Sequence, residues 1–134
     1  MTNCTSPSVK TWESRVWFDA VAIEGVRYEI VRVSFGRRIE LARRIREIGR
    51  KMEYLEAGSK LENGARETLE AAVLAAEIDR AYLEWGLLRV EGLEIDGMEG
   101  TPESLIDCGP VELAMEILRR IKSECGMTED ERKN

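Results

Sequence analysis

The chain contains no histidine. That absence removes Ser-His and Cys-His nucleophile pairs, imidazole acid–base catalysis and every histidine-containing metal site at once. Cysteine is scarce: Cys4, Cys108 and Cys125 form an odd set with no C-x-x-C spacing. Such a set fits unpaired thiols in a reducing compartment, with Cys108 and Cys125 expected to pack in the core. No apolar run approaches the roughly 20 residues that a membrane span requires. The opening Met-Thr-Asn-Cys-Thr-Ser-Pro-Ser lacks the basic and apolar regions of a signal peptide, so the expected location is the cytoplasm of the host cell. Phosphate-binding loops are missing as well, since Gly97-Met98-Glu99-Gly100 matches neither the dinucleotide fingerprint nor the P-loop and has no lysine. Glu94, Asp96 and Glu99 lack the calcium-loop spacing and read as a turn. Carboxylates are plentiful, but no spacing predicts two of them held across a cleft. The chain is therefore expected not to be an enzyme and to need no cofactor or metal.

What is present describes a folded protein. The 134 residues are 43% hydrophobic and 34% charged, enough for one domain with its own core. The net charge of −6 conceals an asymmetry: residues 35–51 hold seven basic side chains against Glu40 and Glu47, whereas 52–134 hold nine basic and twenty acidic. The basic cluster is Arg37, Arg38, Arg43, Arg44, Arg46, Arg50 and Lys51. A cationic helix inside an acidic chain predicts charge pairing within the molecule first and nucleic-acid contact second.

Residues 1–11 read as a flexible tail, 12–126 as a single globular domain, and 127–134 as a polar tail or short helix. Segments 17–23 and 26–33 are β-branched and aromatic and flank Glu24-Gly25, which predicts a β-hairpin. On the second strand Val26, Tyr28 and Ile30 should be buried and Arg27 and Glu29 wet, with a bulge or the strand's end after Ile30. Segment 34–90 reads as two long helices folded back on each other. In the first, capped by Ser34, Leu41, Ile45, Ile48, Met52 and Leu55 form a helical stripe, and Glu40–Arg44 and Glu47–Lys51 stand at i,i+4. Gly58 ends it, and Asn63 is placed to cap the second. The second helix carries Leu69, Val73, Leu74, Ile78, Ala81, Tyr82, Trp85 and Leu88, more apolar surface than one neighbour covers. Its acids, Glu67, Glu70, Glu77, Asp79 and Glu84, could face the arginines of the first. Asp96-Gly97 predicts a turn, Thr101-Pro102-Glu103 a helix start, and Gly109-Pro110 a break before a helix with Val111, Ala114, Leu118, Ile121 and Cys125 on one face, Leu113 and Ile117 beside it, and Gly126 as its stop. The predicted fold is mainly α within an α+β class: an N-terminal β-hairpin packed on a long antiparallel helical hairpin, plus one or two shorter C-terminal helices.

The hairpin leading into Phe35-Gly36-Arg37-Arg38, the helix pair, and the C-terminal succession Gly92-Leu93-Glu94-Ile95-Asp96-Gly97, Thr101-Pro102-Glu103-Ser104-Leu105-Ile106, Gly109-Pro110-Val111-Glu112-Leu113 and Met127-Thr128-Glu129-Asp130-Glu131-Arg132-Lys133-Asn134 resemble the tail assembly chaperones of long-tailed bacteriophages and prophages. The resemblance covers most of the chain past Val16. It implies a small protein that coats the tape measure protein and keeps it soluble while tail tube subunits assemble, in a family where ribosomal frameshifting can give a longer product. On that reading the partner is a helical protein client, the tape measure protein or a tail tube subunit, and Leu74, Ile78, Tyr82 and Trp85 are the expected contact patch. The alternatives are a self-associating structural protein pairing through the N-terminal hairpin, and a nucleic-acid-binding regulator using the basic cluster at 37–51.

Overall fold

The computed structural model describes residues 8–57 and 64–126. The expected Gly58 stop, the Asn63 cap and the character of 127–134 lie outside the described residues. The elements run β1 (Arg15–Asp19), β2 (Arg27–Val31), α1 (Phe35–Ala57), α2 (Gly64–Gly86), β3 (Leu87–Glu91), β4 (Glu94–Ile95), β5 (Met98–Glu99), α3 (Pro102–Cys108) and α4 (Val111–Glu124). This is the mainly helical α+β fold that the sequence predicts.

The sheet is larger than a hairpin. β1 and β2 pair antiparallel, and β3 adds to the other side of β2 in the order β1-β2-β3. The second long helix therefore ends at Gly86, and the stretch expected to continue it to Val90 is a strand instead. At this junction α4 packs closely on the backbone, since a Cβ on Gly86 would sit 2.8 Å from Ile121 side-chain carbons. Because β2 is the middle strand, Glu29 lies between Trp17 and Arg89 in register and is only 4% exposed, not on a wet face. The bulge falls between Glu29 and Ile30 on the β3 side.

Strand pairing also stops earlier than predicted. It closes at Asp19↔Arg27, and Ala20 N–H donates to the Val26 carbonyl at 2.8 Å, leaving a loop with Gly25 at φ 88°. The next amides, of Val21 and Ala22, do not cross to β2; both donate to the Glu116 carboxylate.

Tyr28, Ile30, Leu113, Ile117 and Ile121 are wholly buried and, with Leu105, Val31, Tyr82, Trp85, Leu87 and Val90, make one core. The buried line of α4 runs Leu113–Ile117–Ile121 at i,i+4. It is not centred on Val111, which is 71% exposed. Cys125 packs against the core, but Cys108 is exposed rather than buried. A full capping box closes the start of α3, with Thr101 Oγ1 accepting from Ser104 N–H and Ser104 Oγ from Thr101 N–H, and Asp96-Gly97 turns the β4–β5 hairpin with both residues at positive φ.

Among the described side chains of α1, Leu41 alone is buried. Ser34 caps it, its Oγ accepting from Arg37 N–H at 3.2 Å. α1 packs on α2, and α2 in turn on α3, α4 and β3. With Arg44 beside Glu84 and Ile48 sharing a groove with Glu77, the two helices are antiparallel. The 23-residue α1, about 34 Å long at helical rise, thus forms with the N-terminal half of α2 an arm on the sheet-and-α4 body.

Candidate partner-binding surface

Two surfaces of the arm present chemistry that its own fold does not use. On α2, Leu69 is 65% and Val73 45% exposed, and Ala72 and Ala76 are exposed beside them. Spacings of three, four and seven put these four on one helical face. The alanines leave room for another helix to approach closely. On α1, Arg43, Arg46, Arg50 and Lys51 are exposed and make no ion pair among the described residues. Arg43, Arg46 and Arg50 share a face by the same spacing.

The rest of the basic cluster is engaged. Arg37 lies 3.9 Å from Glu40, Arg38 Nη2 donates to the Cys125 carbonyl at 3.4 Å, and Arg44 reaches Glu84 at 3.4 Å. Glu84 also takes Arg80 at 3.0 Å, and Arg80 extends to Asp107 of α3 at 2.7 Å, so one chain of charges ties α1, α2 and α3 together. Of the i,i+4 pairs expected on α1 neither forms, because Arg44 turns to α2. Of the acids expected to face α1, Glu84 does so, whereas Asp79 pairs with Lys122 of α4 at 2.8 Å. The side chain of Glu67 lies outside the described residues.

The four residues predicted as a contact patch divide. Tyr82 and Trp85, each 4% exposed, belong to the core and offer no surface to a partner. Leu74 and Ile78 are half-buried, and Ile78 packs against the same core. α2 is apolar around more of its circumference than one neighbour covers, but its exposed part is the Leu69–Val73 face on the opposite side of the helix, about half a turn away. Periodicity alone favours the stripe of large side chains as the binding side and gives no signal for the Leu69–Val73 face. Tyr82 and Trp85 face inward, and Leu69 and Val73 face out.

A second concavity, of about 710 Å³, lies between the β1–β2 loop and α4 and is lined by Val21, Ala22, Val111, Met115, Glu116 and Arg120 among others. Its floor is a hydrogen-bonded hub. Glu116, 7% exposed, accepts from Val21 N–H at 3.0 Å, Ala22 N–H at 2.7 Å and the Tyr28 hydroxyl at 2.8 Å, while Arg120 Nε donates to the Tyr28 oxygen at 3.3 Å. Burial alone would raise the Glu116 pKa, but the two amides, the hydroxyl and the Arg120 charge together hold it below the ordinary carboxylate value. Burial first, and then its bond to Glu116, push the Tyr28 hydroxyl up to about 12, against the pull of Arg120. With its acceptor sites filled from within, Glu116 anchors the loop to α4. It is a structural carboxylate, not a poised acid or base.

Among the described residues no group of three or more metal-ligating side chains stands together, and no helix is long and apolar enough to cross a membrane. No family model, no curated protein and no solved structure matches the chain.

Proposed function

We propose that this protein is an assembly chaperone of the kind found with long-tailed phages. In this reading it acts in the host cytoplasm as a binding protein and not an enzyme, and holds a helical segment of the tape measure protein against its α1–α2 arm. The observation that carries the reading is the exposed Leu69–Ala72–Val73–Ala76 face on an element whose own stability comes from elsewhere. An amphipathic client helix would lay its apolar side there, as helix-in-groove binding does. The unpaired Arg43, Arg46, Arg50 and Lys51 complement acidic residues on the client's polar side.

Co-expression with the tape measure protein of the same genome tests the proposal. A soluble, co-purifying complex is expected, and it should be lost when Leu69 and Val73 are both changed to lysine. Failure to rescue the client's solubility would overturn the reading. The unpaired arginines also support a nucleic-acid-binding reading, which predicts an affinity falling steeply with salt. Absence of a salt slope disposes of it.

A further inference from the structure

β1 is an edge strand: among the described residues it pairs with β2 alone. Its pairing parity is fixed at both ends, since the Ser14 carbonyl accepts from Arg32 N–H and Ala20 N–H donates to the Val26 carbonyl. In an antiparallel ladder bonded positions alternate, so residues 14, 16, 18 and 20 face β2. The amides and carbonyls of Arg15, Trp17 and Asp19 point the other way, out of the sheet edge. Soluble proteins usually blunt such an edge with a bulge, a proline or a cover. β1 has no register shift against β2 and no proline, and no other described strand pairs with its free edge. Its only guards are Arg15 and Asp19, one at each end, both exposed and neither in an ion pair among the described residues.

Those guards repel most strands but complement each other. We infer that the protein forms a two-fold dimer in which β1 pairs antiparallel with β1 of a second copy, Trp17 against Trp17. This register places Arg15 opposite the second copy's Asp19 and Asp19 opposite its Arg15. It also aligns all three outward-facing positions with their counterparts, giving three bonded pairs and about six backbone hydrogen bonds. Opposite charges directly across a strand pair stabilise it, and like charges there oppose it. Val16 and Phe18 then meet Phe18 and Val16 of the second copy on the inner face, and the two sheets become one of six strands. On the outer face each Trp17 is already held by its own chain, with the Arg27 guanidinium 4.1 Å and the Arg89 guanidinium 5.5 Å from the ring centre. The joined surface is small, so the dimer belongs to the weak, reversible class.

Charge reversal at the two ends tests both the pairing and its register. Sedimentation equilibrium at concentrations up to roughly 0.5 mM should show the native chain dimerising, as a weak interface of this size requires. Arg15→Asp alone and Asp19→Arg alone should each raise the dissociation constant by about tenfold or more, because each sets like charges opposite at both ends. A mixture of the two single variants should dimerise again, as should the double variant. Both side chains are exposed, and unchanged circular dichroism would show that the variants fold. A native chain that stays monomeric overturns the dimer. Single variants that still dimerise, or a mixture that does not, overturn the register.

Discussion

The body and the arm differ in how far they remove their apolar side chains from water. In the body Tyr28, Ile30, Leu113, Ile117 and Ile121 are completely removed from water, and even a carboxylate, Glu116, is enclosed and satisfied. In the arm Phe35, Ile39, Leu69 and Val73 are 40–84% exposed, and among its described side chains α1 contributes one buried residue, Leu41. On the proposed function, the difference separates folding from binding, two jobs that proteins often assign to the same residues. Most of the buried side chains lie in the sheet, α4 and the C-terminal half of α2, whereas among the described side chains α1 adds Leu41 and the half-buried Ile45 to the core and is tied to α2 by the exposed Arg44–Glu84 pair. A partner that engages the arm therefore need not disturb what keeps the molecule folded.

The sharpest way to break this division is to cut the body. Ile117→Ala removes a wholly buried side chain from a close-packed site, and should cost about 2–5 kcal/mol in urea or thermal unfolding. Glu116→Ala should cost about 3 kcal/mol, since it leaves two amides and a hydroxyl without their acceptor. The same carboxylate gives the body a pH signature. Its folded pKa is depressed, so its stabilisation is complete above the unfolded value of about 4.3 and is lost as the pH falls through the folded value. Acid unfolding of the native chain should thus be steeper below about pH 4.3 than that of Glu116→Gln, whose midpoint should lie lower at neutral pH but vary less with acid.

The arm was legible in the sequence as a period and a charge pattern, and so was the body's helical part. The Thr101 cap, the Asp96-Gly97 turn and the Leu41–Ile45–Ile48 stripe all follow from local chemistry that acts within a few residues. What could not be read depended on distant partners. Leu87 to Val90 continues the helical pattern of α2, and only Gly86 hinted at an end there; the strand exists because Arg89 and Glu91 meet Glu29 and Arg27 across β2. The hairpin was drawn too long because nothing near Val21 and Ala22 reveals that their amides are taken by a glutamate some 95 residues on. Tyr82 and Trp85 read as contact residues or as core for a related reason. Periodicity gives the apolar faces of a helix, but not which of them the body covers.

Between body and arm lies the charge chain Arg44–Glu84–Arg80–Asp107. Arg80→Ala should lower stability by less than either change in the body, with the difference shrinking as salt is raised, because the groups are exposed and screened. Loss of stability that persists at high salt would mean that Arg80 acts through packing of its stem on α3 instead.

The smallest effect on folding is expected on the arm itself, and there it carries the most information. Leu69→Ala and Val73→Ala remove side chains already largely in water, so each should shift unfolding by about 0.5 kcal/mol or less. The same pair should weaken client capture strongly, because truncating apolar anchors at the centre of a contact removes much of its binding energy. Stability and binding would then respond to different residues of one molecule. If the two substitutions instead destabilise the chain as Ile117→Ala does, the arm is part of the core, and the contrast between the two regions fails.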